Sequence, residues 1–216
     1  MNDRSKIVVF GASGGIGGEV VRQALDAGYD VTAVVRERAR FERVHSALDV
    51  VRVPGLAEPT PLVSALKGCD AVISGVGPRG PKDGPVASIA TRGVLTAMTM
   101  AGANRLVAVS AVPVGPVPEG ESLLNRLVIL PLISRLLRDL YADLAEMEQT
   151  IQASGTDWTI VRPPKLVNKP FTGVYRSKIG GNVPCGYRIS RANTAHAMLA
   201  ALNDPKAIKQ AVGVAE

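Results

Sequence analysis

The stretch Ile7-Val8-Val9-Phe10-Gly11-Ala12-Ser13-Gly14-Gly15-Ile16-Gly17-Gly18 decides the fold. Four apolar residues run into a turn with glycines at 11, 14, 15, 17 and 18, and the next segment sets Val20, Val21, Ala24 and Leu25 on one helical face. That pattern is strand, tight turn, helix. Glycine in such a turn removes the Cβ that would keep backbone amides away from a ligand. A helix starting there aims its free N–H groups and the positive end of its dipole at whatever binds, and a pyrophosphate meets both demands. The spacing is Gly-x-x-Gly-x-x-Gly over 11, 14 and 17, not Gly-x-Gly-x-x-Gly.

Tyr29 to Val35 reads as a second strand, closed by Arg36, which lies 19 residues beyond Gly17. A dinucleotide site places there the group that reads the adenosine ribose. An acid would bond a free 2′-hydroxyl, whereas an arginine suits a 2′-phosphate, so the expected coenzyme is NADP(H). Arg38, Arg40 and Arg43 follow, at least two of them expected on a solvated basic face.

Strand and helix patterns then alternate, which argues for βαβ units and a parallel sheet. Phe41 to Leu48 reads as a short helix, Val50 to Val53 as a strand, Thr60 to Lys67 as a helix stopped by Gly68, and Ala71 to Val76 as a fourth strand. The following loop holds Gly77 and Arg79, where a strand end would approach a ligand. A long helix spans Val86 to Gly102 and a fifth strand Arg105 to Val109, with Ser110 at its end. The proline- and glycine-rich Val112 to Gly120 must be irregular, a plausible wall for a substrate. Ser122 to Ser154 is largely helical by periodicity, with Pro131 breaking it. Its leucines exceed one buried face. Core packing is the favoured reading of them, with a cover for the site or a subunit contact as the alternative. Asp157 to Arg162 is a sixth strand before Pro163-Pro164-Lys165. Gly173 to Tyr175, Tyr187 to Ile189 and Gln210 to Val214 are shorter candidates, and Ser190 is expected to cap a helix through Asn203.

With 216 residues, 46% apolar and 20% charged, the chain suits one domain over 1–216 with a full core. The fold class is α/β: a Rossmann-like, doubly wound, mostly parallel sheet with a short C-terminal extension on the substrate side. Net charge is +6, yet eight aromatic residues supply no stacking platform, so nucleic acid is not an expected partner. The apolar runs are too short or interrupted to span a bilayer, and no membrane partner is expected. Cys69 and Cys185 have no metal spacing, and each reads as a buried small apolar residue rather than half a disulfide. A polar beginning with no secretory signal suggests the cytoplasm. His45 is expected exposed, His196 packed or capped, and Asp143, Glu146 and Glu148 an acidic helix face rather than a metal site.

The segments GASGGIG (11–17), VTAVVRERAR (31–40), DAVISGVGPR (70–79), LVAVSA (106–111), MEQTIQASGTDWTIVRPPKL (147–166) and PFTGVY (170–175) together resemble the atypical short-chain dehydrogenase/reductase superfamily. The resemblance is to its NAD(P)H-binding branch, near the small flavin and biliverdin reductases. It implies that Gly11, Ser13, Gly14, Gly15 and Ile16 wrap the pyrophosphate and that Arg36 and Arg40 grip the 2′-phosphate. Gly77 and Arg79 would lie along the coenzyme, Ser110 near the nicotinamide, and Pro163, Pro164 and Lys165 on its substrate side. The chain also departs from the family pattern. Tyr141 is followed at i+4 by Ala145, so the Tyr-x-x-x-Lys pair is missing and the usual alcohol–ketone chemistry is not expected. Lys165 stands where the flavin reductases carry histidine, and Gly55 where an aspartate meets the adenine.

The expected activity is NADPH-dependent hydride transfer to a flat conjugated small molecule of flavin, quinone or tetrapyrrole type, with Ser110 and Lys165 as the catalytic candidates and no metal. Such acceptors delocalise the incoming charge and need mainly orientation and exclusion of water. The alternative is a non-catalytic NADP(H)-binding redox sensor. A sugar-nucleotide epimerase relative is a third, weaker reading, since that chemistry needs the Tyr/Lys pair. A monomer or a homodimer suits either of the first two.

Overall fold

The computed structural model describes residues 5–78, 80 and 83–216. The chain runs β1 (Lys6–Phe10), α1 (Gly15–Asp26), β2 (Asp30–Arg36), β3 (Leu48–Val53), α2 (Thr60–Leu66), β4 (Ala71–Ser74), α3 (Val86–Ala101) and β5 (Arg105–Val109). It continues with α4 (Leu130–Leu136), α5 (Arg138–Ala153), β6 (Asp157–Arg162), β7 (Lys165–Val167), β8 (Arg176–Ile179), β9 (Arg188–Ser190), α6 (Arg191–Leu202) and β10 (Gln210–Ala215). Eight strands form one sheet in the order β3-β2-β1-β4-β5-β6-β10-β8, parallel except for β8, which runs antiparallel to β10. β7 and β9 pair separately and in parallel, forming the small extension beyond the main sheet.

The central strands are near-continuous apolar runs because both faces of a parallel sheet are covered. Ile7 and Val9 of β1 face α1 and α6, while Val8 and Phe10 face α2, α3 and α5. Arg105 ties this frame together. Its guanidinium donates to the carbonyls of Asp157, Ala201 and Leu202, so a cation sits on the last turn of α6 where the helix dipole is negative.

Five expectations are corrected. Cys69 is half-buried and Cys185 exposed, so neither is a core residue. Residues 41–48 are not a helix: the chain runs irregularly from Arg40 to a turn at 46–47 before β3. Phe41, Ala47 and Leu48 pack against the core from an irregular chain, Val44 is almost wholly exposed, and Arg52 Nη1 holds the carbonyls of Glu37 and Ala39 in a turn. Gly173 to Tyr175 is loop, with Gly173 at φ +71°, and the strand follows it as β8. Asp143, Glu146 and Glu148 do not form one acidic face: Glu146 is exposed, while Asp143 and Glu148 are buried. Asp143 is buried and accepts from the amides of Ala87 and Ser88 at 2.8 and 2.9 Å, capping α3. Glu148 forms a buried ion pair with Arg162, and Glu146 pairs with Arg92. Finally, the leucine-rich segment is not core. It is a π-turn (Asn125–Ile129) running into α4, with no buried residue in α4. Leu130 N–H closes the five-residue turn on Asn125, immediately before Pro131, whose missing N–H and bulky ring oppose ordinary α-helical bonding there.

Candidate active site

Strand order reverses between β1 and β4, and the loops leaving their carboxyl ends meet there. This is where an open α/β sheet offers a ligand crevice. Gly11 has φ +75°, and a Cβ on it would lie 2.8 Å from the Gly75 carbonyl carbon. A Cβ on Gly17 would overlap the Gly11 carbonyl and sit 2.6 Å from its carbon. Two of the three motif glycines are therefore fixed by packing: the β4 loop against the turn, and α1 against the turn. Gly14 N–H closes the turn on the Gly11 carbonyl at 2.8 Å. α1 then begins with no side-chain cap and no acid in its first turn, leaving its free amides and dipole to an anion. Ser13 and Gly15 stand at this turn, half-exposed and exposed respectively. The Ile16 side chain is buried in the core, so only its amide is available to a ligand.

Arg36 ends β2 and is exposed, and Ala39 N–H turns back onto its carbonyl at 2.8 Å, which brings Arg40 around the same strand end. Neither guanidinium has a carboxylate partner among the described residues. In the β4 loop, close approach falls to Gly75, whose amide donates to the Phe10 carbonyl at 3.0 Å, whereas Gly77 faces open space. Arg79 lies outside the described residues.

On the other side of the switch point, Ser110 N–H donates to the Val161 carbonyl at 2.8 Å and Val112 N–H to that of Pro163 at 3.0 Å. These bonds bring Ser110 beside the Pro163–Pro164 loop. Ser110 is 7% exposed, yet its hydroxyl finds no partner among the described residues. A buried, unbonded hydroxyl costs about 1–3 kcal/mol; among the described residues Gln23, Ser88 and Asn182 also bury a polar side-chain atom without a partner. Lys165 is exposed and in register with Arg188 of β9, two neighbouring cations on the rim. Tyr141 is half-buried, and burial pushes its phenol up, away from proton transfer at neutral pH. His196 packs against Phe171 and bonds the Tyr175 hydroxyl at 2.8 Å.

Sequence reasoning missed Arg191. It is the first residue of α6, and its side chain lies across Gly15: a Cβ there would be 2.6 Å from Arg191 Cδ and 2.9 Å from Nε. Its Nη1 donates to Asn168 Oδ1 at 2.6 Å. The packing of α1 on α6 sets this cation over the start of α1. No local pattern near residue 191 announces it; only the tertiary pairing of two helices 176 positions apart does. A separate hollow of about 390 Å³, lined by Lys6, Asp49, Ser64 and Lys67, opens at the opposite, amino-terminal edge of the sheet and is remote from these groups.

The NAD(P)H-binding family matches residues 11–205, and the chain belongs to it. The chain is 26% identical to the uncharacterized sugar epimerase YhfK of Bacillus subtilis, over 98% of this chain and 94% of that protein. Among solved structures, a wide-type short-chain dehydrogenase/reductase from Veillonella parvula in complex with NADP superposes with a TM-score of 0.78 at 18% identity, covering 98% of this chain and 94% of that one. ChuY, an anaerobillin reductase from Escherichia coli O157:H7, superposes at 0.74 with 20% identity, covering 98% and 97%. These likenesses bear out the Rossmann-like α/β fold. No described helix is long and apolar enough to cross a membrane. No group of three or more metal-ligating side chains occurs among the described residues.

Proposed function

We propose that the protein is an NADPH-dependent reductase that delivers hydride to a flat, conjugated acceptor. The observation that carries this reading is the buried, unpartnered Ser110 hydroxyl beside the Pro163 loop, on the substrate side of a switch point whose other side is an uncapped helix start. The cradle fits a dinucleotide. The amides of Gly11 to Ile16 and the Arg191 guanidinium would hold the pyrophosphate, Arg36 and Arg40 the 2′-phosphate, and Gly77 and Arg79 the stretch between. When bound, NADPH supplies the hydride. Ser110 orients the carboxamide or the acceptor by one hydrogen bond, and Pro163 and Pro164 shape the water-excluding wall. Lys165 and Arg188 draw in an acceptor that carries negative charge, and the balancing proton is taken from solvent.

The structure of the polar groups supports a reductase over an epimerase. Tyr141 has Ala145, not lysine, four residues on, so no partner lowers its pKa for proton shuttling on a sugar alcohol. The test is a panel of riboflavin, simple quinones and biliverdin with the protein and NADPH, following loss of reduced-nicotinamide absorbance. Turnover of at least one acceptor, with kcat lowered in Ser110→Ala, is the expected result; no turnover across the panel refutes the reading. A non-catalytic NADP(H) sensor would share the cradle, and it is separated by unequal affinity for NADP⁺ and NADPH without turnover.

A further inference from the structure

In the segment from Leu123 to Arg138 Asn125 is the one buried residue. Leu123, Leu124, Leu127, Leu132 and Leu136 are 73, 64, 69, 65 and 78% exposed. Soluble surfaces rarely gather so many leucines in one place, and contiguous exposed apolar patches mark contact sites. Within the ridge the charge has one sign, with Glu121 and Asp139 at its two ends. Arg126, Arg135 and Arg138 are exposed and unpaired among the described residues, and no Asp or Glu occurs between Ser122 and Arg138.

We propose that this ridge is an interfacial segment that docks the protein onto an anionic phospholipid surface. The leucines would enter the acyl boundary while the guanidiniums meet lipid phosphates, the arrangement that holds amphipathic helices in the plane of a bilayer. Charge selects this occupant over a second copy of the chain. Two ridges face to face would gather six guanidiniums, with carboxylates only at the margins, on Glu121 and Asp139. The seven-residue α4 is far too short to cross, so the association is peripheral. It goes beyond the expectation of no membrane partner, which rested on the lack of a spanning segment. The connection from β5 to α5 necessarily lies at the carboxyl edge of the sheet, because α5 returns the chain to the start of β6. A docked molecule therefore turns its candidate active-site edge toward the headgroups.

The test is flotation of the full chain with vesicles of phosphatidylcholine alone and of phosphatidylcholine mixed with phosphatidylglycerol. Flotation with the anionic vesicles only, diminishing as salt rises, is expected. Arg126→Gln/Arg135→Gln/Arg138→Gln should lower partitioning about 100-fold, about five-fold per charge removed. Leu127→Asp/Leu132→Asp should abolish it; both leucines are exposed, and retained NADPH binding will show that the variant is folded. Three results overturn the proposal: no flotation with either vesicle; equal flotation with both; or concentration-dependent self-association in sedimentation that Leu127→Asp/Leu132→Asp removes while vesicles are ignored.

Discussion

Arg36→Ala removes one of two exposed guanidiniums at the end of β2. The side chain has no ion pair among the described residues and supports no packing, so its loss should leave the fold intact. Its expected partner is the 2′-phosphate, which NADPH has and NADH lacks. A charge-assisted hydrogen bond contributes about 1.5–3 kcal/mol, which converts to about 10- to 150-fold in affinity. Because the site is open to solvent and Arg40 stands close by, the lower half of that range applies, about 10- to 40-fold. The loss should fall on NADPH alone. The assay is titration of nicotinamide fluorescence with each coenzyme, at low and moderate salt. The wild-type preference should itself shrink as salt rises, since the contact is exposed. Arg36→Ala with an unchanged ratio of NADPH to NADH affinity, or equal loss for both, refutes the assignment of this strand end to the extra phosphate.

Three further outcomes follow from the geometry. Arg191→Ala should weaken NADPH and NADH by the same factor, about five- to 30-fold, because the pyrophosphate is common to both; a loss confined to one coenzyme in the same titrations contradicts the placement. Glu148→Ala leaves the Arg162 guanidinium, 8% exposed, without its carboxylate, and should cost about 3–5 kcal/mol of stability, read as a fall in the urea midpoint with an unchanged slope. Glu216 is pushed up by burial, but bonds from the Ser190 amide and hydroxyl and from Asn193, helped by Lys169, hold its carboxyl below the usual glutamate range. A lowered folded-state pKa contributes stability that is complete above the unfolded value and lost as pH falls through the folded one. The difference in Tm between the native chain and Glu216→Gln should therefore be largest near neutral pH and vanish in acid; a difference independent of pH would show that the carboxylate charge is not what holds the clamp.

The central half of the fold was legible because local chemistry and global packing agree there. Each of β1, β2, β4, β5 and β6 is a short apolar run bounded by glycine, proline or polar residues, and each is buried on both faces. The Gly11–Gly17 motif was legible for the same reason, since the backbone approach it permits is visible as an absence of side chains. What failed to read depended on distance in the chain. Nothing around Asp143 says that its carboxylate caps a helix starting at Val86, and nothing around Gly75 distinguishes it from Gly77 until the turn at Gly11 is placed beside it. The leucine ridge misled because composition says that leucines seek burial, not whether the fold has room for them. Arginines at 38, 40 and 43 suggested a helix face where the chain instead rounds the end of a sheet.

The order β6-β10-β8 has a consequence for how the chain acquires its shape. β8 is made before β10 but has no seat in the sheet until β10 slots between it and β6. Until residues 210–215 arrive, the open flank of β6 and the whole of β8 expose unsatisfied amides and carbonyls to any strand nearby. Interruption at that stage leaves a molecule with a finished nucleotide-side half and a sticky flank. Truncation after Lys209 should therefore produce aggregates rather than a smaller soluble domain.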